Sequence, residues 1–296
     1  MIKPPALRRG DAVSLVAPAG ALSPEALETA MERIRELGLE PRPCSRVLAR
    51  RDYLAGADEV RLEDLRSALA DPGTRAVFAL RGGYGTARLL PFLDLSFLRS
   101  RPKAVIGFSD LTALHLALDR LGIVSFHGPM PGVGEWSDYE RAGLWRALGG
   151  GLPGEIPLPQ GEALPAGEAR GPLVGGNLSV LAASLGTPWE VRTAGRILLL
   201  EEVGEAPYRI DRLLNQLRQA GKLSRVRGIL LGEVAGVPPT DALRVEEVFR
   251  EYLDGLGVPV LRGLPFGHGS RRGTLPLGVL ARIRNGRLFI EEAATA

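Results

Sequence analysis

Cysteine is almost absent from the sequence. The single cysteine, Cys44, cannot form a disulfide within the chain, and a reducing compartment, the cytoplasm, is therefore expected. No glycine turn or helix start lies beside Cys44, so we expect this thiol to be structural rather than nucleophilic.

Long apolar runs are also missing. No stretch approaches the ~18 apolar residues that a membrane span needs, and no membrane partner is expected. Residues 12–21 form a short apolar run after several cationic residues, but Asp11 interrupts its start. We interpret this run as a strand and a loop rather than a signal peptide.

Lysine, histidine and aromatic residues are scarce. There are three lysines and three histidines, aromatic residues make up 5% of the chain, and the formal net charge is only +3. Acidic residues are interspersed among the arginines, so the clustered positive charge of a nucleic-acid interface is missing. The histidines, His115, His127 and His268, have no neighbours at metal-ligand spacing, and a zinc site is not expected.

In the first half of the chain, apolar strands alternate with helices. Strands are predicted at residues 12–17, 76–80, 104–107 and 123–126. Helices are predicted from Ser23 to Leu37, over residues 58–70, from Thr86, and over residues 111–121. Strands that are apolar throughout indicate a parallel sheet covered on both faces, the Rossmann-like class of α/β fold. Ligands of such sheets bind at the carboxyl ends of the strands.

The composition changes near the middle of the chain. We therefore predict an N-terminal α/β domain over residues 1–150, a linker rich in Gly, Pro and Glu over 151–170, and a smaller, mixed and β-rich C-terminal domain over 171–296. Asn285 and Gly286 lie between two short apolar runs near the end of the chain. This pair predicts a type I′ turn in a terminal hairpin.

A serine follows the strand at residues 104–107. Gly107 and Ser109 lie between this strand and a helix, a position that lifts a nucleophile out of the sheet and directs the N–H of Asp110 towards a developing oxyanion. The window lacks the second glycine of an α/β-hydrolase elbow. Two interpretations remain open: Ser109 is a nucleophile, or it caps the helix.

A glycine-rich turn follows the strand at residues 76–80. Its sequence, RGGYG at residues 81–85, matches neither a dinucleotide fingerprint nor a phosphate loop. Either it is a plain turn, or the backbone near Gly82 and Gly83 supplies a second oxyanion donor, with Arg81 as a partner for a substrate carboxylate.

The second half of the chain contains candidates for a base and for the acid that orients it. Glu201 and Glu202 end an apolar strand, where a carboxylate either orients a histidine or is simply solvated. His268 lies between glycines and is the best candidate for a general base. We expect His115 to be structural, and His127 either lines the cleft or is structural.

Taken together, these windows resemble the LD-carboxypeptidase family, which includes murein tetrapeptide carboxypeptidases and microcin C immunity peptidases. The resemblance extends from residues 16–20 to residues 275–278. Its most specific stretches are residues 81–85 (RGGYG), 107–112 (GFSDLT), 127–130 (HGPM), 175–178 (GGNL), 186–189 (GTPW), 200–205 (LEEVGE), 208–212 (YRIDR) and 266–268 (FGH).

The resemblance implies a serine peptidase with a triad of Ser109, Glu201 and His268. It also implies oxyanion donors at Asp110 and in the turn at residues 82–85, no metal or cofactor, and a homodimer. The doubled acid leaves open whether Glu201 or Glu202 pairs with the histidine. The implied substrate is a murein tetrapeptide, from which the enzyme would release D-alanine during peptidoglycan recycling.

Two alternatives remain. A member of the microcin C type would cleave a peptidyl-nucleotide and would need aromatic stacking, for which Trp136 and Trp189 are the candidates near the cleft motifs. A non-catalytic, two-domain ligand-binding protein would not need Ser109, Glu201 and His268 together.

Overall fold

The computed structural model describes residues 1–151, 154–155, 163–164 and 167–296. The chain divides into two compact units. The first unit contains residues 1–151, 273–276 and 293–296, and the second contains residues 152–272 and 277–292. Most of the predicted linker at 151–170 lies outside the described residues.

Strands and helices alternate along much of the described chain. In chain order, the strands are β1 (Ala12–Val16), β2 (Glu40–Pro43), β3 (Ala76–Ala79), β4 (Ala104–Gly107), β5 (Ser125–His127), β6 (Gly154–Glu155), β7 (Ala163–Leu164), β8 (Ala169–Asn177), β9 (Ile197–Val203), β10 (Gly228–Ala235), β11 (Val260–Gly267), β12 (Leu275–Leu277), β13 (Leu280–Arg284) and β14 (Arg287–Ile290). The helices are α1 (Pro24–Glu36), α2 (Asp58–Ala70), α3 (Thr86–Leu89), α4 (Thr112–Arg120), α5 (Asp138–Leu148), α6 (Leu178–Ala183), α7 (Pro207–Gln219) and α8 (Pro239–Leu253).

The first unit is built on a six-stranded sheet with the order β12-β5-β4-β3-β1-β2. The pairs between β2, β1, β3, β4 and β5 are all parallel. Every residue of β1, β3 and β4 is buried, as expected for strands with both faces covered. The predicted Rossmann-like sheet is therefore confirmed.

Local sequence signals set most of the helix boundaries in this unit. Helix α1 begins after Ser23, whose side chain accepts a hydrogen bond from the N–H of Ala26, with Pro24 in the first turn. Helix α2 has the predicted bounds. Helix α3 is shorter than its apolar sequence suggests, because Pro91 has no N–H to continue it and the chain passes into a 3-10 turn.

The second unit contains an eight-stranded sheet with the order β6-β14-β13-β8-β9-β10-β11-β7. Its central strands, β8 to β11, are parallel, and β13, β14, β6 and β7 pair antiparallel at the two sides. Asn285 and Gly286 have φ angles of 50° and 70° between β13 and β14. The mixed, β-rich class and the predicted hairpin are both confirmed.

The chemistry-bearing residues follow the ends of parallel strands. In the first unit, Ser109 lies two residues beyond the end of β4, and the glycine turn follows β3. In the second unit, Glu201 lies near the end of β9, and His268 directly follows β11. Each set thus lies at the carboxyl edge of its own sheet, where α/β proteins bind ligands.

Candidate active site

Ser109 occupies a strained turn between β4 and α4. Its φ angle is 62°, in the left-handed region that residues with a Cβ rarely adopt. It begins a 3-10 turn, and the capping position is taken by Phe108, which makes no side-chain capping bond. Ser109 is therefore not the N-cap residue of this turn or of α4. Strain of this kind concentrates at functional sites, where it presents one side chain in a fixed direction.

Gly82 lies directly against this serine. A Cβ added at Gly82 would come within 2.7 Å of Ser109 Oγ and 2.8 Å of Ser109 Cβ. Only glycine fits without displacing the serine. The backbone of the glycine turn therefore lies close to the Ser109 side chain, and its role as an oxyanion donor stays a prediction.

Neighbouring loops fix the glycine turn through hydrogen bonds. The N–H of Gly20 donates to the Gly82 carbonyl at 2.9 Å. The exposed Arg81 donates from Nη1 to the carbonyl of Ala21 at 2.7 Å. Gly83 adopts a φ angle of 104° within the turn. Arg81 is thus anchored at one end beside the turn, and its binding of a substrate carboxylate stays a prediction.

Asp110 is buried next to the nucleophile. Its carboxylate accepts a hydrogen bond from the N–H of Thr86 at 2.8 Å. Burial raises the pKa of the Asp110 carboxyl, while hydrogen bonds from Thr86 and Gly85 and the charge of Arg61 act in the opposite direction. Through its side chain, Asp110 links the serine turn to the start of α3.

In the second unit, Glu201 and His268 form a hydrogen-bonded pair. The distance from His268 Nδ1 to Glu201 Oε2 is 2.6 Å, and Glu201 is fully buried. Because a carboxylate only accepts, His268 Nδ1–H donates this hydrogen bond to Glu201. A Cβ added at Gly267 would lie 2.7 Å from Glu201 Oε2, so the chain beside the histidine packs closely on this carboxylate.

Glu202 has different partners from Glu201. One of its oxygens accepts from Asn177 Nδ2 at 2.9 Å and from the N–H of Val203 at 2.9 Å. The other accepts from the N–H of Ser179 at 2.8 Å and from its hydroxyl at 2.6 Å. The structure thus pairs Glu201 with the histidine, and Glu202 joins the end of β9 to the start of α6.

The other two histidines are buried in the first unit. His115 lies 2.9 Å from Ser125 Oγ and 2.9 Å from the carbonyl of Gly107, and burial lowers its pKa to about 3. The neutral ring donates from Nε2 to Gly107, which supports the end of β4, and the predicted structural role is confirmed. The ring of His127 packs against Phe108 at 5.8 Å, behind the serine turn.

The thiol of Cys44 also has a structural environment. It lies 3.5 Å from the carbonyl of Asp64, and burial raises its pKa to about 11. A thiol with a raised pKa is a poor nucleophile at neutral pH, in agreement with the expected structural role.

Three features of the site were missed by sequence reasoning. Arg61 has a fully buried side chain although it looks like a surface residue of α2. Tyr53 and Tyr84 are exposed, with ring centroids 6.3 Å apart beside the glycine turn. Glu233, in β10, accepts from the N–H of Ser270 at 3.0 Å, close to the histidine loop. Glu233 alone had a signal, since it too is an acid near the end of an apolar strand.

The residues that the structure describes contain neither a membrane-spanning helix nor a metal-ligand cluster. None of the helices in that part of the chain is both long and apolar enough to cross a membrane. Within the same residues, no group of three or more His, Cys, Asp or Glu side chains is placed to hold a metal ion.

A strained serine that follows one strand, and a buried glutamate bonded to a histidine that follows another, are residue types that serine-type hydrolases use. Sequence comparison gives the family. A model described as the LD-carboxypeptidase N-terminal domain matches residues 13–128, and one described as the C-terminal domain matches residues 170–283. The chain belongs to the LD-carboxypeptidase family.

Named relatives cover nearly the whole chain. A probable murein peptide carboxypeptidase of Bacillus subtilis is 39% identical over 94% of this chain and 90% of its own length. A murein tetrapeptide carboxypeptidase of Pseudomonas aeruginosa is 37% identical over 93% of this chain and 94% of its own length.

Solved structures share the fold. The muramoyltetrapeptide carboxypeptidase of Oxalobacter formigenes matches with a TM-score of 0.82 and 30% identity, over 96% of this chain and 100% of that chain. The microcin C7 self-immunity protein MccF, in complex with aspartyl sulfamoyl adenosine, matches with a TM-score of 0.88 and 22% identity over 100% of both chains. At that identity, the second likeness shows the fold alone.

Proposed function

We propose that this protein is a serine carboxypeptidase that releases the terminal D-alanine of murein tetrapeptides by cleaving the L-D peptide bond. The observation that carries the proposal is the hydrogen bond between the buried Glu201 and His268 Nδ1. This bond produces an oriented base, which a serine hydrolase needs and a passive binding protein does not. Family membership and the murein carboxypeptidases among the relatives support the substrate class.

In the proposed mechanism, Ser109 Oγ attacks the carbonyl carbon of the scissile bond while His268 Nε2 accepts the hydroxyl proton. Glu201 stabilises the imidazolium that results. The N–H of Asp110 and an N–H of the glycine turn stabilise the oxyanion. D-alanine then leaves with the proton from His268, and a water molecule activated by the same histidine hydrolyses the acyl-enzyme.

We propose that Arg81 binds the free carboxylate of the substrate. Its anchorage on Ala21 limits the positions of the guanidinium beside the turn that contacts Ser109. A fixed cation sets the register of the substrate, because one more D-alanine would displace the carboxylate by ~3.5 Å. The enzyme should therefore cleave tetrapeptides and leave pentapeptides uncut. We also propose that it acts as a homodimer in the cytoplasm on recycled muropeptides.

The test compares a murein tetrapeptide, a pentapeptide and a tetrapeptide with an amidated C-terminus, with D-alanine release followed by mass spectrometry. Release from the free tetrapeptide alone, abolished by Ser109→Ala, is the expected result. Equal cleavage of the amidated peptide would disprove carboxylate anchoring. Cleavage of none of the three would disprove the substrate assignment.

A second candidate function is the cleavage of peptidyl-nucleotides. The exposed rings of Tyr53 and Tyr84 favour it, because they offer a stacking surface beside the glycine turn. Of the tryptophans considered from the sequence, Trp136 is buried and Trp189 is partly exposed. Aspartyl sulfamoyl adenosine, tested beside the tetrapeptide, distinguishes the two functions. Exclusive cleavage of the nucleotide would assign the protein to this second function.

A further inference from the structure

One peptide group of the first unit is held at both of its polar atoms by buried charged side chains. It joins Gly85 to Thr86, where the glycine turn enters α3. Its N–H donates to Asp110 Oδ2 at 2.8 Å, and its carbonyl accepts from Arg61 Nη1 at 3.0 Å. Asp110 is only 4% exposed and the Arg61 side chain is 0% exposed, so water does not compete for either bond.

Arg61 binds other loop carbonyls as well. Its guanidinium donates to the carbonyls of Pro18 and Gly56 and forms an ion pair with Asp58. A guanidinium removed from water is tolerated only where its N–H groups find acceptors. The carbonyls of three separate loops are therefore held in fixed positions around one cation.

The Gly82 end of the glycine turn depends on hydrogen bonds elsewhere in the turn to keep its position beside Ser109. Gly82 lies so close to Ser109 that an added Cβ would come within 2.7 Å of Ser109 Oγ, and the turn between Gly82 and Gly85 contains three glycines, which restrict the backbone little. The bond from Gly20 to the Gly82 carbonyl anchors one end of the turn. The peptide between Gly85 and Thr86 anchors the other.

We propose that the side chains of Asp110 and Arg61 are positioning residues for catalysis, which hold the glycine turn against Ser109 by binding the Gly85–Thr86 peptide from both sides. The proposal rests on the proposed function only in that Ser109 is the nucleophile. An oxyanion donor is effective only if it is in place before the charge develops. Asp110 would thus contribute its backbone N–H to one donor position and fix the other through its carboxylate.

A purely structural role would have a different signature. If the two side chains only capped the single turn of α3, their removal would lower the melting temperature and leave the kinetics of the folded protein unchanged. Loss of positioning lowers kcat and leaves KM almost unchanged, because the missing interaction is made mainly in the transition state.

The test uses Asp110→Asn and Arg61→Lys in the full chain. Asp110→Asn keeps the size but places an amide opposite the N–H donors, and Arg61→Lys keeps the charge but not the fork of donors. Asp64→Asn is the matched control, since Asp64 is a buried carboxylate of the same unit that binds Arg46. Melting temperatures are measured first, and the kinetics are compared below them. If one of the two variants does not fold, the kinetics of the other still test the proposal.

Two kinetic readouts are compared. One is steady-state D-alanine release from the tetrapeptide. The other is the rate at which a fluorophosphonate labels Ser109, a reaction in which the serine oxygen bonds to phosphorus, fluoride leaves and the serine proton passes to the base. We expect kcat and the labelling rate to fall together by about 10- to 100-fold, with KM changed less than about twofold. The control should stay within about twofold of the parent in both readouts.

The double variant tests whether the two residues act on one peptide. Its loss should be clearly smaller than the product of the single losses, because either change alone already releases the turn. A loss in the double variant equal to the product of the two single losses would overturn the inference. Folded single variants with normal labelling rates would also overturn it. If the labelling rates of the variants fall as expected but the parent protein does not cleave the tetrapeptide, the inference is supported and the proposed substrate is rejected. If the parent protein shows neither labelling nor cleavage, both are wrong.

Discussion

The two sheet edges that contribute to the proposed triad reach their geometry in different ways. At the carboxyl edge of the first unit, backbone conformation dominates, with Ser109 at a positive φ angle and Gly82 in contact with its side chain. At the edge of the second unit, buried side-chain pairing dominates, with Glu201 bonded to His268 and Glu202 bonded elsewhere. A change at the first edge should act mainly through shape, and a change at the second through charge and hydrogen bonding.

The largest expected effect is that of the nucleophile and the base. Ser109→Ala should lower kcat by about 10⁴-fold or more, and His268→Ala should do nearly the same. The double variant should be little worse than either single one, because the two residues act in one step. Steady-state D-alanine release measures all three. If His268→Ala kept near-normal turnover, His268 would not act together with Ser109, and the proposed triad would be wrong.

The adjacent acids of β9 provide the sharpest contrast within one edge. Glu201→Gln should lower kcat by about 10²- to 10⁴-fold with little change in KM, because the amide no longer stabilises the imidazolium. Glu202→Gln should instead cost about 1–3 kcal/mol of unfolding free energy, because two oxygens that accept four hydrogen bonds become one oxygen and one donor. Steady-state kinetics and urea unfolding of both variants test this prediction. A larger loss of kcat in Glu202→Gln than in Glu201→Gln would assign the role of orienting the histidine to Glu202.

A single methyl group tests the importance of shape at the first edge. Gly82→Ala should lower kcat by about 10- to 100-fold, because the new Cβ would overlap Ser109 Oγ at 2.7 Å. Gly255→Ala is the control, since no atom lies within 4 Å of its added Cβ. Comparison of kcat between the two variants shows whether a methyl group at position 82 disturbs the serine. Full activity of Gly82→Ala would mean that the glycine turn does not constrain the serine.

The smallest expected effect concerns pH and His115, whose ring lies 2.9 Å from the carbonyl of Gly107. Burial lowers the pKa of His115 to about 3 from 6.5, so the folded state binds fewer protons than the unfolded state. The stability that this neutral ring contributes is present above pH 6.5 and is lost as the pH falls towards 3. In His115→Asn, the slope of unfolding free energy against pH below 6.5 should be smaller by up to about 1.4 kcal/mol per pH unit. Equal slopes would contradict the neutral assignment.

Local signals in the sequence were sufficient for most of the framework. Ser23 and Pro24 start α1, and Asn285 and Gly286 make the hairpin turn, because each acts through its own backbone preferences. The end of α3, which the sequence analysis did not predict, also has a local cause in Pro91.

The candidate site depended more on tertiary structure. Glu201 and Glu202 are adjacent in a strand and point to opposite faces, so only the packed sheet decides which one meets the histidine. Arg61 has the sequence context of a solvated helix residue, and its guanidinium is buried because it binds the loop carbonyls of residues 18, 56 and 85. No property of a single window reveals such a contact.

In the proposed mechanism, Ser109 carries the acyl group of the cleaved murein tetrapeptide. Rapid acid quenching of the enzyme during turnover of a tetrapeptide, followed by peptide mapping and mass spectrometry, detects this acyl-enzyme. We expect a tripeptidyl ester on the peptide that contains Ser109, formed as D-alanine is released, and no adduct in Ser109→Ala. Release of D-alanine by Ser109→Ala, or an adduct on another residue, would contradict it.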